Sequence, residues 1–503
     1  MRSKLVFLAW LCTCHVFGQG NYQKYEFRGL WVTTAFNLDW PSSNEISPEE
    51  QKQEFIKLLN KHKALGTNTI IVQVRAAADA FYQSDYEPWS FWLTGEQGKK
   101  PKPFWDPLAF MTEECHKRGM EIHAWFNLFR AVSHERFFKP DKHHVTRKHP
   151  EWTYKIGEKI FFNPGDPDLR SYLTEVVLDC VRKYDIDGVH LDDYFYPQEI
   201  NGDKIDDEKT FKKYGDGFDK IADWRRDNIN KLIEMLSDSI HATKKFMKFG
   251  ISPAPVWRHK HADKLGSETE RALTSYDDLF ADSRKWIEKG WVDYLAPQLY
   301  YSTLHKRVNY NNLLNWYSNN TFGHHLYIGL AYYKAHTPDE EGWKDSKELP
   351  RQINLLRAKE NINGYAFFRA ASFKENPLRL EDTLKQMNNY YCVSPPMPWL
   401  DSIPTLAPTN LQITTSSEGV KLTWEEPEAA TDNETPYYYF VYRFKLGEPF
   451  NIKNAKNIIG LPRKTTFLDN NAKPNTEYYY IVTSADRLNN ESLDFIGKSI
   501  KVK

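Results

Sequence analysis

Residues 188–197 read GVHLDDYFYP, and the alternation inside that decapeptide decides the fold. Side chains of a strand point to opposite faces in turn. Val189 and Leu191 therefore share one face and His190 and Asp192 the other, with Asp193 one step beyond at the rim. Helices packed outside a sheet take the two aliphatic residues. An inward His and Asp are out of place in an aliphatic core. They belong at the mouth of a closed barrel, where chemistry gathers at the carboxyl ends of the strands.

Runs of the same kind recur along the chain at Phe27–Thr33, Thr69–Arg75, Glu121–Leu128, Lys248–Pro253, Val292–Tyr300, Leu326–Tyr333 and Gly364–Arg369, which with Gly188–Tyr194 makes eight. Helical patterns lie between them at Pro48–Leu65, Pro107–Lys117, Asp168–Tyr184, Ile221–Thr243, Tyr276–Glu288 and Arg351–Glu360, and Leu380–Tyr391 follows the last. Gly66, Gly119 and Gly290 stand where a left-handed helix cap is wanted. Ser47-Pro48 and Asp106-Pro107 pair a capping residue with a proline at the first helical position. Strict strand–helix alternation predicts parallel strands with helical crossovers, and eight units predict an α/β fold of the (β/α)8 TIM-barrel kind. An open doubly wound sheet usually carries a Gly-rich phosphate loop after its first strand, and RGLWVTTAFNLDW (28–40) has none.

The chain has 503 residues, enough for more than one core. Residues 394–408, SPPMPWLDSIPTLAP, read as a proline-rich linker with few contacts across it. Beyond it LQITTSSEGVKLTW, YYYFVYRF and NTEYYYIVTSADRLNNES read as short alternating strands with Trp424 inward. That layout resembles an all-β immunoglobulin/fibronectin type III-like sandwich. At the other end Arg2 and Lys4, an apolar run from Leu5 to Cys12, and Val16-Phe17-Gly18 read as an export signal. The expected division is signal 1–18, barrel 19–393, linker 394–408 and sandwich 409–503. The expected location is periplasmic or extracellular. Lipid anchoring through Cys12 or Cys14 is the competing reading, and no stretch is long enough for a transmembrane segment.

Lys plus Arg and Asp plus Glu both number 67, so no basic field is available to hold a nucleic acid. Cys115, Cys180 and Cys392 form neither a disulfide framework nor a metal cluster, and His143, His144 and His149 lack CxxC or HExxH company. Neither metal nor cofactor is expected. Applying the same period of two to the other strands gives a polar crown at one end of the barrel: Gln73 and Arg75, then His123, Trp125 and Asn127 followed by Arg130, then Gln298 and Tyr300, then Arg369. A neutral, aromatic-rich, metal-poor barrel with an inward Asp points to glycoside hydrolysis, which needs one carboxylate at the oxocarbenium-like centre and an acid for the leaving oxygen. Asp192 takes the first role. Asp193 is its runner-up, or a rim residue bonded to a loop amide. Asp79 and Glu87 after the second strand and Asp39 after the first are candidates for the acid or for substrate contact, each otherwise a loop charge or cap. Arg75 and Arg130 suit substrate hydroxyls or a carboxylate, and Trp89, Trp92 and Trp257 are rings on which sugars can stack.

Seven segments together carry a further likeness: RGLWVTTAFNLDWPS, VQVRAAADAFYQSDYEPWS, HAWFNLFR, GVHLDDYFYP, FGISPAPVWR, DYLAPQLYY and GLAYYK. Over roughly residues 25–390 the chain resembles the glycosyl-hydrolase-like family 10 proteins, exported bacterial barrels. The resemblance implies hydrolysis of glycan strands, with peptidoglycan stripped of its stem peptides as substrate. It implies site roles for Arg75, Asn127, Arg130, Asp192, Asp193, Trp257, Arg258 and Gln298, which fall on the family pattern. A hydrolase of dietary or capsular polysaccharide and a non-catalytic glycan-binding barrel are the alternatives. In each, the partner is carbohydrate, and the sandwich is a spacer or a contact with glycan or another surface protein.

Overall fold

The eight predicted strands form one closed parallel barrel in sequence order, the first pairing with the second on one side and with the eighth on the other. They are Phe27–Val32, Thr69–Arg75, Glu121–Phe126, Gly188–Leu191, Lys248–Ile251, Tyr294–Leu295, His325–Ala331 and Gly364–Phe368. This computed structural model describes residues 23–133, 140–199, 202–336 and 342–502, so the expected signal with Cys12 and Cys14 lies outside the described residues.

Local chemistry sets the crossovers. The first long helix, Pro48–Ala64, opens on a capping box in which Ser47 and Glu50 bond each other's backbone N–H. Asp106 caps Pro107–Lys117 and Asp166 caps Pro167–Lys183. Gly66, Gly119 and Gly290 all adopt positive φ at the helix ends. The helix expected over Tyr276–Glu288 is shorter, Ser283–Glu288. Asp278 binds the backbone N–H and hydroxyl of Thr274 at 2.7 and 2.8 Å, a local bond that competes with helix, and Asp282 caps the turn that follows.

The strands bury two different faces. Val189 and Leu191 join the aliphatic layer under the helices. Phe27, Trp31, Ile71, Trp125, Tyr294, Tyr327 and Ala366 fill the interior, which is ringed rather than aliphatic. Room for those rings comes from Gly188 and Gly250, where an added Cβ would stand 2.8 Å from the His123 ring and 2.0 Å from Tyr294. An excursion after the third strand was not anticipated. Arg130–Val132, Thr153–Ile156 and Lys159–Phe162 form a small antiparallel sheet beside the barrel mouth.

Among the described residues, seven antiparallel strands follow in two sheets, three and four strands wide, with a shared core around Trp424, Tyr439, Tyr480 and Val482. The linker between barrel and sandwich is not free. Met397 is fully buried in the amino-terminal mouth of the barrel, and the Trp399 indole donates to Asp293 at 2.8 Å. Arg487 of the sandwich pairs with Asp185 and, at 3.0 Å, with Asp187, and Asn489 donates to Glu121 at 3.3 Å. The proline-rich segment plugs one mouth of the barrel, and the sandwich docks over it.

Candidate active site

A column of polar groups fills the barrel axis from the plugged mouth to the open one. Lys248 and Glu121 pair at 2.6 Å near the plug, and Glu121 lies 3.3 Å from His123 Nε2. The Tyr294 hydroxyl joins His123 Nδ1 at 2.8 Å and His190 Nδ1 at 2.9 Å. His190 Nε2 accepts from the Trp31 indole at 3.2 Å, which places the imidazole proton on Nδ1. Burial holds His190 well below the usual histidine range, so it is neutral. Each group satisfies the next, and the inward His190 becomes the support of the site above it.

Asp192 stands one layer higher, only 6 % exposed. The strand ladder ends at Leu191, and three N–H donors hold the carboxylate that follows. The Trp125 indole donates to Oδ2 at 3.0 Å, the Asn127 amide donates to the same oxygen, and the Tyr194 N–H reaches Oδ1 at 3.2 Å. Asn127 is held in turn by the Gln73 amide, whose own oxygen accepts from the N–H groups of Thr34 and Ala35 at 3.1 and 2.9 Å. Asp193 bonds the Gln298 side chain. Burial, and then the charge of Asp193, push Asp192 up to about 7. Burial also raises Asp193, against the Gln298 bond and the Arg130 charge. Two carboxyls this close in dry surroundings hold one proton between them near neutrality. The donors converging on Asp192 favour the charge there and the proton on the less enclosed Asp193.

Both acids line a cleft of about 400 Å³ at the carboxyl ends of the strands, walled by Trp31, Trp125, Tyr300 and Phe368. A second lobe of about 510 Å³ runs on past the excursion sheet, and Arg130, Lys159, Asp193 and Tyr194 border both. The Arg130 guanidinium lies 4.3 Å from the ring of Tyr194, which is half exposed.

Arg130, Gln298 and Tyr300 thus reach the cleft as read from the sequence, together with Asp192 and Asp193. Other expected contacts are corrected. Arg75 and Glu87 are both fully buried and bonded to each other by two contacts of 2.7 and 2.6 Å. A further guanidinium nitrogen of Arg75 reaches the carbonyls of Asn127 and Leu128, so the pair ties two loops together rather than meeting substrate. Asp79 is sealed as well, accepting from the Phe91 N–H and the Gln97 amide at 3.2 Å each, with burial raising it to about 6. Asn127 positions Asp192, with its side chain taken up between Gln73 and that carboxylate. Trp257 donates to Asp282 at 2.9 Å, and Arg258 pairs with Asp277 and Asp263 at 2.9 and 2.8 Å, so both are engaged in the loop after the fifth strand. Arg369 lies 3.8 Å from Asp39, whose oxygens accept from the Thr33 and Ala371 N–H groups at 2.7 Å each. Those bonds close the first loop onto the eighth. Trp89 and Trp92 are buried in the core under the helices.

Sequence reasoning missed Trp31 and Ser252 as lining residues, although the period of two on RGLWVT marks Trp31 as inward. It also missed Lys159 and Phe36. Lys159 arrives on the excursion sheet, which has no barrel period, and Phe36 sits at φ 58° in the loop after the first strand.

The model of the family described as glycosyl hydrolase-like 10 matches residues 26–345. The glycosyl hydrolase YngK of Bacillus subtilis is 42% identical over 93% of this chain and 92% of its own length. The glycosyl hydrolase DigH of Escherichia coli is 37% identical over 68% of this chain and 82% of its own. Among solved structures, the PgaB (BpsB) glycoside hydrolase domain of Bordetella bronchiseptica aligns at 13% identity and a TM-score of 0.46, over 72% of this chain and 99% of that one. On its family match and its curated relatives, the chain belongs to the glycosyl hydrolase-like 10 family.

Proposed function

We propose that this protein is an exported glycosidase that cuts the glycan strands of bacterial peptidoglycan after their stem peptides have been removed. The observation that carries the glycosidase reading is the pair Asp192–Asp193, the first buried and the second at the rim, in an aromatic-walled cleft at the carboxyl mouth of the barrel. Asp193 protonates the leaving oxygen. Asp192, held by its three donors, supplies the negative charge that the oxocarbenium-like centre needs. Membership of a glycosyl hydrolase-like family supports the same chemistry.

The choice of strand is supported by charge. Arg130 and Lys159 stand where the two lobes meet, beside the acids. A muramic residue freed of its peptide exposes a lactyl carboxylate, and two cations at the junction suit it. Both lobes together give a run of sugars room on either side of the acids. Residues 1–18 are proposed to be removed on export. The sandwich, docked at the opposite mouth, is proposed to meet glycan or another surface protein away from the cleft. The test is reducing-end release from denuded peptidoglycan, intact peptidoglycan and a panel of neutral polysaccharides. Release from denuded strands is the expected result, and release from the neutral panel alone would overturn the choice of substrate.

A further inference from the structure

Hydrolysis at a sugar carbon needs a proton on the departing oxygen and electron density at the opposite face of the ring. Glycosidases that draw both from carboxylates set the two about 5–5.5 Å apart for retention or about 6.5–9.5 Å apart for inversion, flanking the bond. Among the described residues, the carboxylates lining the first lobe, where the rings stand, are Asp192 and Asp193, and Glu158 and Asp203 line only the second. They are neighbours in the chain, with Cα atoms about 3.8 Å apart by backbone geometry. Both rise from one wall, at the end of the fourth strand. Such a pair serves one side of the sugar and does not flank it.

What adjoins them is a box of rings. Tyr300 and Phe368 lie stacked 5.7 Å apart, and Trp31 meets Phe368 edge-on at 6.4 Å. Trp125 closes the box and fixes Asp192 through its indole. The Gln298 amide stands at its edge, bonded to Asp193. An apolar box with an immobile carboxylate at its rim fits a small group carrying a methyl, an N–H and a carbonyl. The 2-acetamido group of an N-acetylated amino sugar is such a group.

We infer that the nucleophile is the carbonyl oxygen of the substrate's own 2-acetamido group, seated methyl-first in the box of Trp31, Trp125, Tyr300 and Phe368 and held through its N–H by Asp192. This inference rests on the reading of the substrate as an amino-sugar glycan. The acetamido oxygen forms a bond to C1 as the C1–O bond to the next sugar breaks. The Asp193 proton goes to the departing oxygen, and the positive charge left on the cyclic oxazolinium ion faces the Asp192 carboxylate. Water then adds at C1, the C1–O bond to the acetamido oxygen breaks, and the proton of that water returns to Asp193. Two displacements at C1 leave its configuration retained.

The experiment uses the full chain and denuded peptidoglycan strands. Proton NMR during cleavage should show the retained anomer first. The thiazoline of N-acetylglucosamine, a stable mimic of the cyclic ion, should inhibit competitively. Strands chemically N-deacetylated should lose turnover by at least ~10²-fold, the scale on which intramolecular attack outruns its absence. Release of the inverted anomer, indifference to the thiazoline, or undiminished turnover on deacetylated strands would each overturn the inference while leaving strand hydrolysis intact. No release from any denuded strand would overturn the substrate reading and this inference with it.

Discussion

Replacing Asp192 by Asn separates the two things that its burial does. An aspartate ordinarily titrates at 3.8, and in the folded protein burial and Asp193 raise it to about 7. The direction fixes the sign of the pH effect. Below the unfolded value both states hold the proton, and nothing is lost. Between the two values the unfolded chain holds neither proton while the folded pair keeps one, shared with Asp193, so stability falls as pH rises. Above the folded value the loss is complete. A shift of about 3 units at about 1.4 kcal/mol each bounds that loss at about 4 kcal/mol. Asparagine does not titrate and escapes it. Its single amide oxygen cannot satisfy the Trp125, Asn127 and Tyr194 donors together, which costs about 1 kcal/mol. The net expectation at pH 8 is a variant more stable than the parent by up to about 3 kcal/mol. For a chain this long that is roughly 3 °C in melting temperature. The advantage should vanish by pH 4. Turnover on denuded strands should fall at least ~10²-fold throughout. Thermal melts of both proteins from pH 4 to 8, beside the rate assay, decide the matter. A gap in melting temperature that ignores pH would refute the electrostatic account of the site, and full activity in the variant would refute the role of Asp192.

Three further outcomes are expected. Asp193→Asn should lower kcat with little change in KM and remove the alkaline limb of the pH–rate profile, since the proton that burial holds on the pair then has no donor; a profile identical to the parent's would count against Asp193 as the acid. Glu87→Gln should destabilise by about 3–5 kcal/mol, because it strands the buried Arg75 guanidinium, while leaving the KM of the folded fraction unchanged; a stable protein with a raised KM would restore Arg75 and Glu87 to the substrate. Met397→Ala should cost about 2–5 kcal/mol, and a chain ending at Ser394 should precipitate rather than stay active, because the barrel mouth loses its plug; a soluble, active truncation would show that the plug and sandwich are dispensable.

The fold was legible because its determinants are local. Eight short apolar runs, three glycines at helix ends and two Asp/Ser-Pro caps each state a backbone requirement that only a few residue types meet, and each has its counterpart in the fold. What escaped was carried by distant partners. Nothing in SPPMPWLDSIP shows that Met397 enters the barrel, because the mouth that receives it is assembled from strands far earlier in the chain. The excursion sheet escaped for a similar reason, its strands being three and four residues long, too short to display a period.

The site divides along the same line. A period of two shows which side chains turn inward, and it placed Asp192, Gln298 and Tyr300 correctly. It says nothing about what each meets there. Arg75 and Asp192 are both inward, polar and almost wholly enclosed, yet Arg75 is neutralised by two oxygens of Glu87. Among the described residues, Asp192 accepts hydrogen bonds from neutral N–H groups and faces a second carboxyl, with the Arg130 charge near it as a partial counterweight. An inward charge with a full complement of opposite charge holds the structure together. A carboxylate held by dipoles beside a second carboxyl leaves one proton on the pair, ready to be given up, and that difference is fixed by partners from other strands. The sequence marks the candidates, and the unpaired charge among them is what points to the chemistry.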